Sequence, residues 1–82
     1  MIFHVYMMRT ISGTTKKTYV GYTNNIKNRL IKHNSGKGAK STRGYKWEII
    51  YRKKFLSKSA AMSFEYLLKK NRKKRLIILK QY

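Results

Sequence analysis

Apolar residues gather in three short β-rich runs and recur at helical spacing in three other stretches. Residues 3–9, FHVYMMR, are β-branched, aromatic and apolar, and predict a strand. Residues 10–17, TISGTTKK, hold Gly13 among small polar residues and predict a turn. Residues 18–23, TYVGYT, predict a second strand, and the short connection makes an antiparallel hairpin with the first. NNIKNRLIKHN predicts a helix: Asn24 can cap it, Ile26 and Leu30 repeat at i, i+4, and Gly36 lies just past its end. SGKGAKSTRGYK, with three glycines and four basic residues, predicts a loop. Residues 47–55, WEIIYRKKF, predict a third strand. Ser57 caps a second helix whose apolar stripe is Ala60, Ala61, Phe64, Leu67 and Leu68. A last short helix, KKRLIILKQ, closes the chain. The order β-β-α-β-α-α predicts an α+β fold, a three-stranded and mainly antiparallel sheet flanked by helices.

Length and composition narrow what such a fold can do. Eighty-two residues make one small domain, 1–82, with a modest core. The absence of cysteine excludes disulfides and cysteine-based zinc sites. The apolar start MIFHVYMMRT lacks a preceding basic segment and a small-residue cleavage site, so it does not read as a signal peptide. No run approaches the roughly 18 apolar residues of a membrane span. An intracellular protein that does not enter a membrane is the expectation.

Charge changes the picture most. There are 21 Lys and Arg against two acids, Glu48 and Glu65, for a net charge of +19. Such a chain repels itself and is drawn to polyanions. Nucleic acid leads, because each phosphate neutralised releases counterions. An anionic membrane is a weaker candidate, since no basic amphipathic helix stands apart from the fold.

The candidate chemistry lies in four places. Arg29 and His33 are four apart on a helix, so they share a face beside the Ile26–Leu30 stripe. An arginine there can clamp a phosphate, and a histidine can donate to it or move a proton. The plain alternative is two surface residues of a basic helix. Tyr6 and Tyr19 fall on one face of the hairpin if the register is right. A phenol among many cations is expected to ionise more easily and could serve as a base. Gly21 beside them is expected to leave room for a ligand to approach the backbone. The plain alternative is cross-strand aromatic packing. Glu65 sits at the edge of the second helix's stripe, where a carboxylate could help hold a hard divalent cation. Its plain alternative is a helix pair with Lys69. Glu48 reads as a structural ion pair with one of the lysines. In the loop, Lys37, Lys40 and Arg43 alternate with small residues, and Ser41 and Thr42 add hydroxyls, a pattern suited to phosphates. It is no Walker loop.

Taken in order, these residues resemble the GIY-YIG nuclease superfamily. Its first motif appears as His4-Val5-Tyr6 and its second as Tyr19-Val20-Gly21. NRLIKH supplies the family's arginine, Arg29, and its frequent histidine, His33. HNSGKGAKSTRG is similar to small stand-alone members related to the nuclease half of the bacterial excision-repair protein UvrC. WEIIY and SAAMSFEYLLKK continue the likeness and put the family's metal-binding glutamate at Glu65. His4 replaces the name-giving glycine, and Lys46 replaces a proline common before WE.

The resemblance implies a DNA endonuclease that hydrolyses phosphodiesters with one divalent metal, Mg²⁺ or Mn²⁺. Glu65 would hold the metal, Arg29 would neutralise charge on the scissile phosphate, one tyrosine would activate water, and His33 would assist by hydrogen bonding or proton transfer. Lys37, Lys40, Ser41, Thr42 and Arg43 would bind nucleic acid. Branched, single-stranded or duplex DNA is the expected partner, in repair, recombination or processing. Weak sequence specificity is expected, with structure selection or a partner protein supplying the choice of target. The alternatives are a non-catalytic nucleic-acid-binding module on the same fold and a ribosome-associated basic protein.

Overall fold

A computed structural model describes residues 1–11 and 16–81. The elements are β1 (Phe3–Thr10), β2 (Thr18–Thr23), α1 (Ile26–Asn34), β3 (Trp47–Phe55), α2 (Lys58–Lys70) and α3 (Arg72–Gln81). The order is therefore β-β-α-β-α-α, an α+β fold as the pattern predicts. The turn expected at Gly13 lies outside the described residues.

The sheet order is β2-β1-β3, with both pairings antiparallel. β1 is central because it is apolar on both faces, as a strand covered from both sides must be. Its residues Val5, Tyr6, Met7 and Met8 are all buried. Side-chain alternation then divides them between two cores. Val5 and Met7 join Val20, Ala61, Leu68 and Ile78, so α2 and α3 cover that face. Tyr6 and Met8 join Trp47, with Tyr19, Ile26 and Leu30 packed against them, so α1 covers the other. A bulge in the β1–β3 pairing falls between Met7 and Met8.

Local chemistry sets the ends of the helices. The α1 cap is Asn25, not Asn24: its Oδ1 accepts the Asn28 N–H at 3.1 Å. β2 runs on to Thr23, so Asn24 is taken up in turning the chain, and the Thr23 hydroxyl accepts the Asn25 N–H. Ser57 caps α2, as expected, through Ala60 N–H. Asn71 serves two helices: its N–H closes α2 on Leu67 and Leu68 carbonyls, and its Oδ1 accepts Lys74 N–H at the start of α3.

Two expectations change. The inward stripe of α2 is narrower than predicted, because Ala60 is exposed and Leu67 is 63% exposed. Ala61, Phe64, Glu65 and Leu68 form the i, i+3, i+4, i+7 set that faces the sheet. The glycine-rich loop is not featureless either: Lys40–Thr42 form a 3₁₀ turn.

Candidate active site

The hairpin register decides where the tyrosines go. Tyr6 pairs with Gly21 and Met8 with Tyr19, so both phenols rise on the face covered by α1. Their rings are 6.4 Å apart. Gly21 does not make room for a ligand: a Cβ there would lie 2.7 Å from the Tyr6 hydroxyl and 3.0 Å from the Tyr19 ring. The missing side chain lets Tyr6 lie across its neighbouring strand.

α1 brings His33 down onto these rings. Its imidazole is completely buried, and it packs tilted against Tyr19 at 5.0 Å between centroids. His33 Nε2 is 2.9 Å from the Tyr6 hydroxyl, and Nδ1 is 2.9 Å from the Thr42 hydroxyl. Thr42 in turn donates to the Ala39 carbonyl at 2.8 Å. His33 is thus no surface residue of a basic helix. Nor is Thr42 a free phosphate ligand: its side chain is completely buried, turned inward by the 3₁₀ turn onto His33. The loop is anchored by further bonds. Trp47 Nε1 donates to the Thr42 carbonyl, and Asn34 exchanges two hydrogen bonds with the Trp47 backbone. Lys37, Lys40, Ser41 and Arg43 remain exposed on its outer surface.

Arg29 lies one turn before His33 and contributes the positive charge. It reaches toward the phenols of Tyr6 and Tyr19, and the Tyr6 contact holds its pKa above the usual value. Its Nε is buried without a hydrogen-bond partner among the described residues. The side chain also borders two open clefts of about 540 and 390 Å³. Lys58 lines the first and Lys32 the second. Neither lysine stands out in the sequence from the many others; only the fold places them beside Arg29.

Glu65 belongs to the opposite helical layer, on α2, which packs across β1 and β2. Its side chain is only 18% exposed, and its Oε1 lies 3.6 Å from Lys69 Nζ. The helix pair considered from spacing is therefore present. The carboxylate is also close enough for its charge to raise the Tyr6 pKa. Glu48 is an ion-pair residue as expected, but its partner is Arg9 at 2.8 Å, not a lysine, because β1–β3 pairing sets the two opposite each other. Among the described residues no three His, Cys, Asp or Glu side chains cluster as a metal cage. A lone carboxylate is still a donor set that suits Mg²⁺ or Mn²⁺ when waters and a substrate phosphate complete the shell.

Burial overturns one electrostatic expectation. The Tyr6 phenol is not made easier to ionise. Desolvation pushes its pKa up to about 12, against the opposing pull of Arg29. His33 moves the other way: burial, aided by the Arg29 charge, lowers it to about 4. At neutral pH the pair is a neutral phenol hydrogen-bonded to a neutral imidazole.

A three-stranded antiparallel sheet with two tyrosines on one face, an arginine and a histidine brought to them by α1, and a carboxylate on the opposite helical layer belongs to a domain of nuclease-fold type. The chain belongs to the GIY-YIG family: the GIY-YIG catalytic domain matches residues 2–77. A UPF0213 protein of Oceanobacillus iheyensis is 48% identical over 67 residues, 80% of this chain and 74% of its own. A UPF0213 protein of Streptococcus agalactiae is 41% identical over 81 residues, 96% and 89% of the two chains. The solution NMR structure of a UPF0213 protein from Bacillus halodurans is 36% identical, with a TM-score of 0.51 over 98% of this chain and 86% of that one.

Proposed function

We propose that the protein is a metal-dependent endonuclease that hydrolyses DNA phosphodiesters. The observation that carries this reading is the buried Tyr6–His33 hydrogen bond beside Arg29. A binding surface has no need of such a pair, whereas a hydrolase needs somewhere for a water proton to go.

With its pKa near 12, Tyr6 is not a phenolate at neutral pH. It acts instead by passing a proton on. As the water oxygen bonds to phosphorus, its proton moves to the Tyr6 oxygen and the phenol's own proton moves to His33 Nε2. The bond from phosphorus to the leaving oxygen breaks with its electron pair. The imidazolium, unstable in its buried site, then returns its proton through Tyr6 to solvent. Arg29, whose side chain borders both clefts, binds a non-bridging oxygen through its guanidinium. Glu65 would hold a divalent cation, Mg²⁺ or Mn²⁺, which would supply Lewis-acid polarisation of the phosphate when bound. Lys32 and Lys58 flank the path of the strand beside Arg29. Lys37, Lys40, Ser41 and Arg43 extend the polyanion surface. Specificity comes from DNA structure or a partner protein.

The test is nicking of supercoiled and branched DNA with Mg²⁺ or Mn²⁺. Tyr6→Phe, Arg29→Ala and Glu65→Gln should each lower the rate about 100-fold or more. Equal cutting by wild type and all three variants would remove the enzyme reading. One observation favours a second reading, a non-catalytic DNA-binding module: Glu65 is already paired with Lys69. That module would bind DNA with strong salt dependence, cut no substrate, and be indifferent to Glu65→Gln.

A further inference from the structure

The proton route requires His33 to present a bare Nε2 to Tyr6. An imidazole flips freely between two neutral tautomers unless its other nitrogen is held. We propose that Thr42 and Gly38 are positioning residues that lock His33 in the Nδ1–H tautomer, with Nε2 aimed at the Tyr6 hydroxyl. This rests on the endonuclease reading for its purpose, but not for its geometry.

Three hydrogen bonds fix the direction. A threonine hydroxyl has one proton to donate. The Ala39 carbonyl, 2.8 Å away, can only accept, so the Thr42 proton goes there. The same carbonyl also accepts the Thr42 backbone N–H at 3.0 Å, which holds the hydroxyl in place. Thr42 Oγ1 therefore faces His33 Nδ1 with a lone pair, and Nδ1 must carry the hydrogen across the 2.9 Å contact. A neutral ring has one N–H, so Nε2 accepts from Tyr6 at 2.9 Å. Arg29 agrees from the other side. A guanidinium only donates, so the Arg29 cation beside the phenol gives the Tyr6 proton no acceptor to compete with His33. His33 and Thr42 are both fully buried, so water does not offer substitute partners.

Gly38 supplies the steric half of the lock. A Cβ there would lie 2.5 Å from His33 Nδ1 and 3.0 Å from His33 Cα. Unlike Gly36 and Gly44, Gly38 has no left-handed φ, so an alanine would fit its backbone. The cost of a side chain at Gly38 falls on His33, chiefly on its ring and in part on its Cα. Glycine lets the loop close directly on the Nδ1 side of the ring.

The test reads the tautomer directly. Long-range ¹H–¹⁵N NMR of the His33 ring in the whole protein should show a protonated Nδ1 and an unprotonated Nε2 at pH 7. Thr42→Val should give mixed tautomers, and Thr42→Ser should restore the single form. Gly38→Ala should move the ring resonances and weaken the Tyr6 contact while far-ultraviolet circular dichroism stays unchanged. In DNA cleavage, Thr42→Val should lower kcat about 10–100-fold with KM unchanged, the scale seen when a partner orienting a histidine is removed. A wild-type His33 protonated on Nε2, or an unaltered tautomer in Thr42→Val, overturns the proposal even if the variant cuts poorly. If wild type cuts no DNA yet shows the locked tautomer, the endonuclease reading fails and the lock stands.

Discussion

At the scale of single residues, burial outweighs the chain's surplus of positive charge. The surplus led to the expectation of an easily ionised tyrosine. Tyr6 is 1% exposed, however, and removing a phenolate from water costs more than scattered, water-screened lysines return. His33 makes the same physics measurable. Its folded pKa of about 4 lies below its ordinary 6.5, so between those values the unfolded chain binds the extra proton. Stability from this group is complete above pH 6.5 and is lost as pH falls toward 4, amounting to about 3 kcal/mol on the usual conversion. Few other groups titrate there, because the chain has only two side-chain carboxylates and one other histidine. Urea unfolding at pH 7.5 and 4.5 should therefore show a marked loss for wild type and little change for His33→Gln. Parallel losses in both proteins would show that some other group carries the titration. Tyr6, Tyr19, Arg29 and His33 were legible in the sequence because helix and strand periods place them on defined faces. The role of Thr42 was not, because it depends on a 3₁₀ turn folding back nine residues onto His33. A hydroxyl in a basic loop looks like a phosphate ligand until that turn is known.

At the scale of elements, the hydrophobic pattern finds the three strands and three α-helices of the described residues, and it errs where a helix presents more apolar residues than it buries. α2 offers Leu67 and Leu68 in succession, but only one can face the sheet. Leu68 is 1% exposed and Leu67 is 63% exposed. Leu68→Ala should cost about 2–5 kcal/mol in urea unfolding and Leu67→Ala under about 0.5 kcal/mol. Similar costs would mean that the helix sits rotated from the position described. That rotation matters beyond stability, because the turn that buries Ala61 and Leu68 also carries Glu65 to the sheet side. A carboxylate at the i+4 position of a buried stripe is a costly choice for a core helix, and this is what marks Glu65 as a candidate in the sequence. The link between α2 and α3 should be equally sensitive. Asn71 ends one helix and caps the next, so Asn71→Ala should cost about 1 kcal/mol or more in the same assay.

At the scale of the whole molecule, the net charge of +19 acts on folding and on binding with opposite signs. Self-repulsion among the lysines destabilises the compact state, so added salt should raise the urea midpoint by screening it. The same salt should weaken DNA binding, because counterions no longer gain as much by release. Each phosphate neutralised contributes about −0.9 to the slope of log K against log salt, so the slope counts contacts. If the loop lies along the strand, substituting Lys37, Lys40 and Arg43 together by alanine should reduce the slope by about 2.7 and leave the salt response of stability in the same direction. Fluorescence anisotropy with a labelled oligonucleotide measures the first quantity, and denaturation the second. A slope unchanged by the triple substitution would remove the loop from the interface and leave its anchored face, Thr42 on His33, as its contribution to the site. Tyr6→Phe should alter neither slope nor midpoint trend, since that hydroxyl is buried and carries no charge at neutral pH. The proposed polyanion surface and the proposed proton route are thus separable by experiment. One responds to salt and to lysines at the exterior, the other to pH and to hydroxyls within.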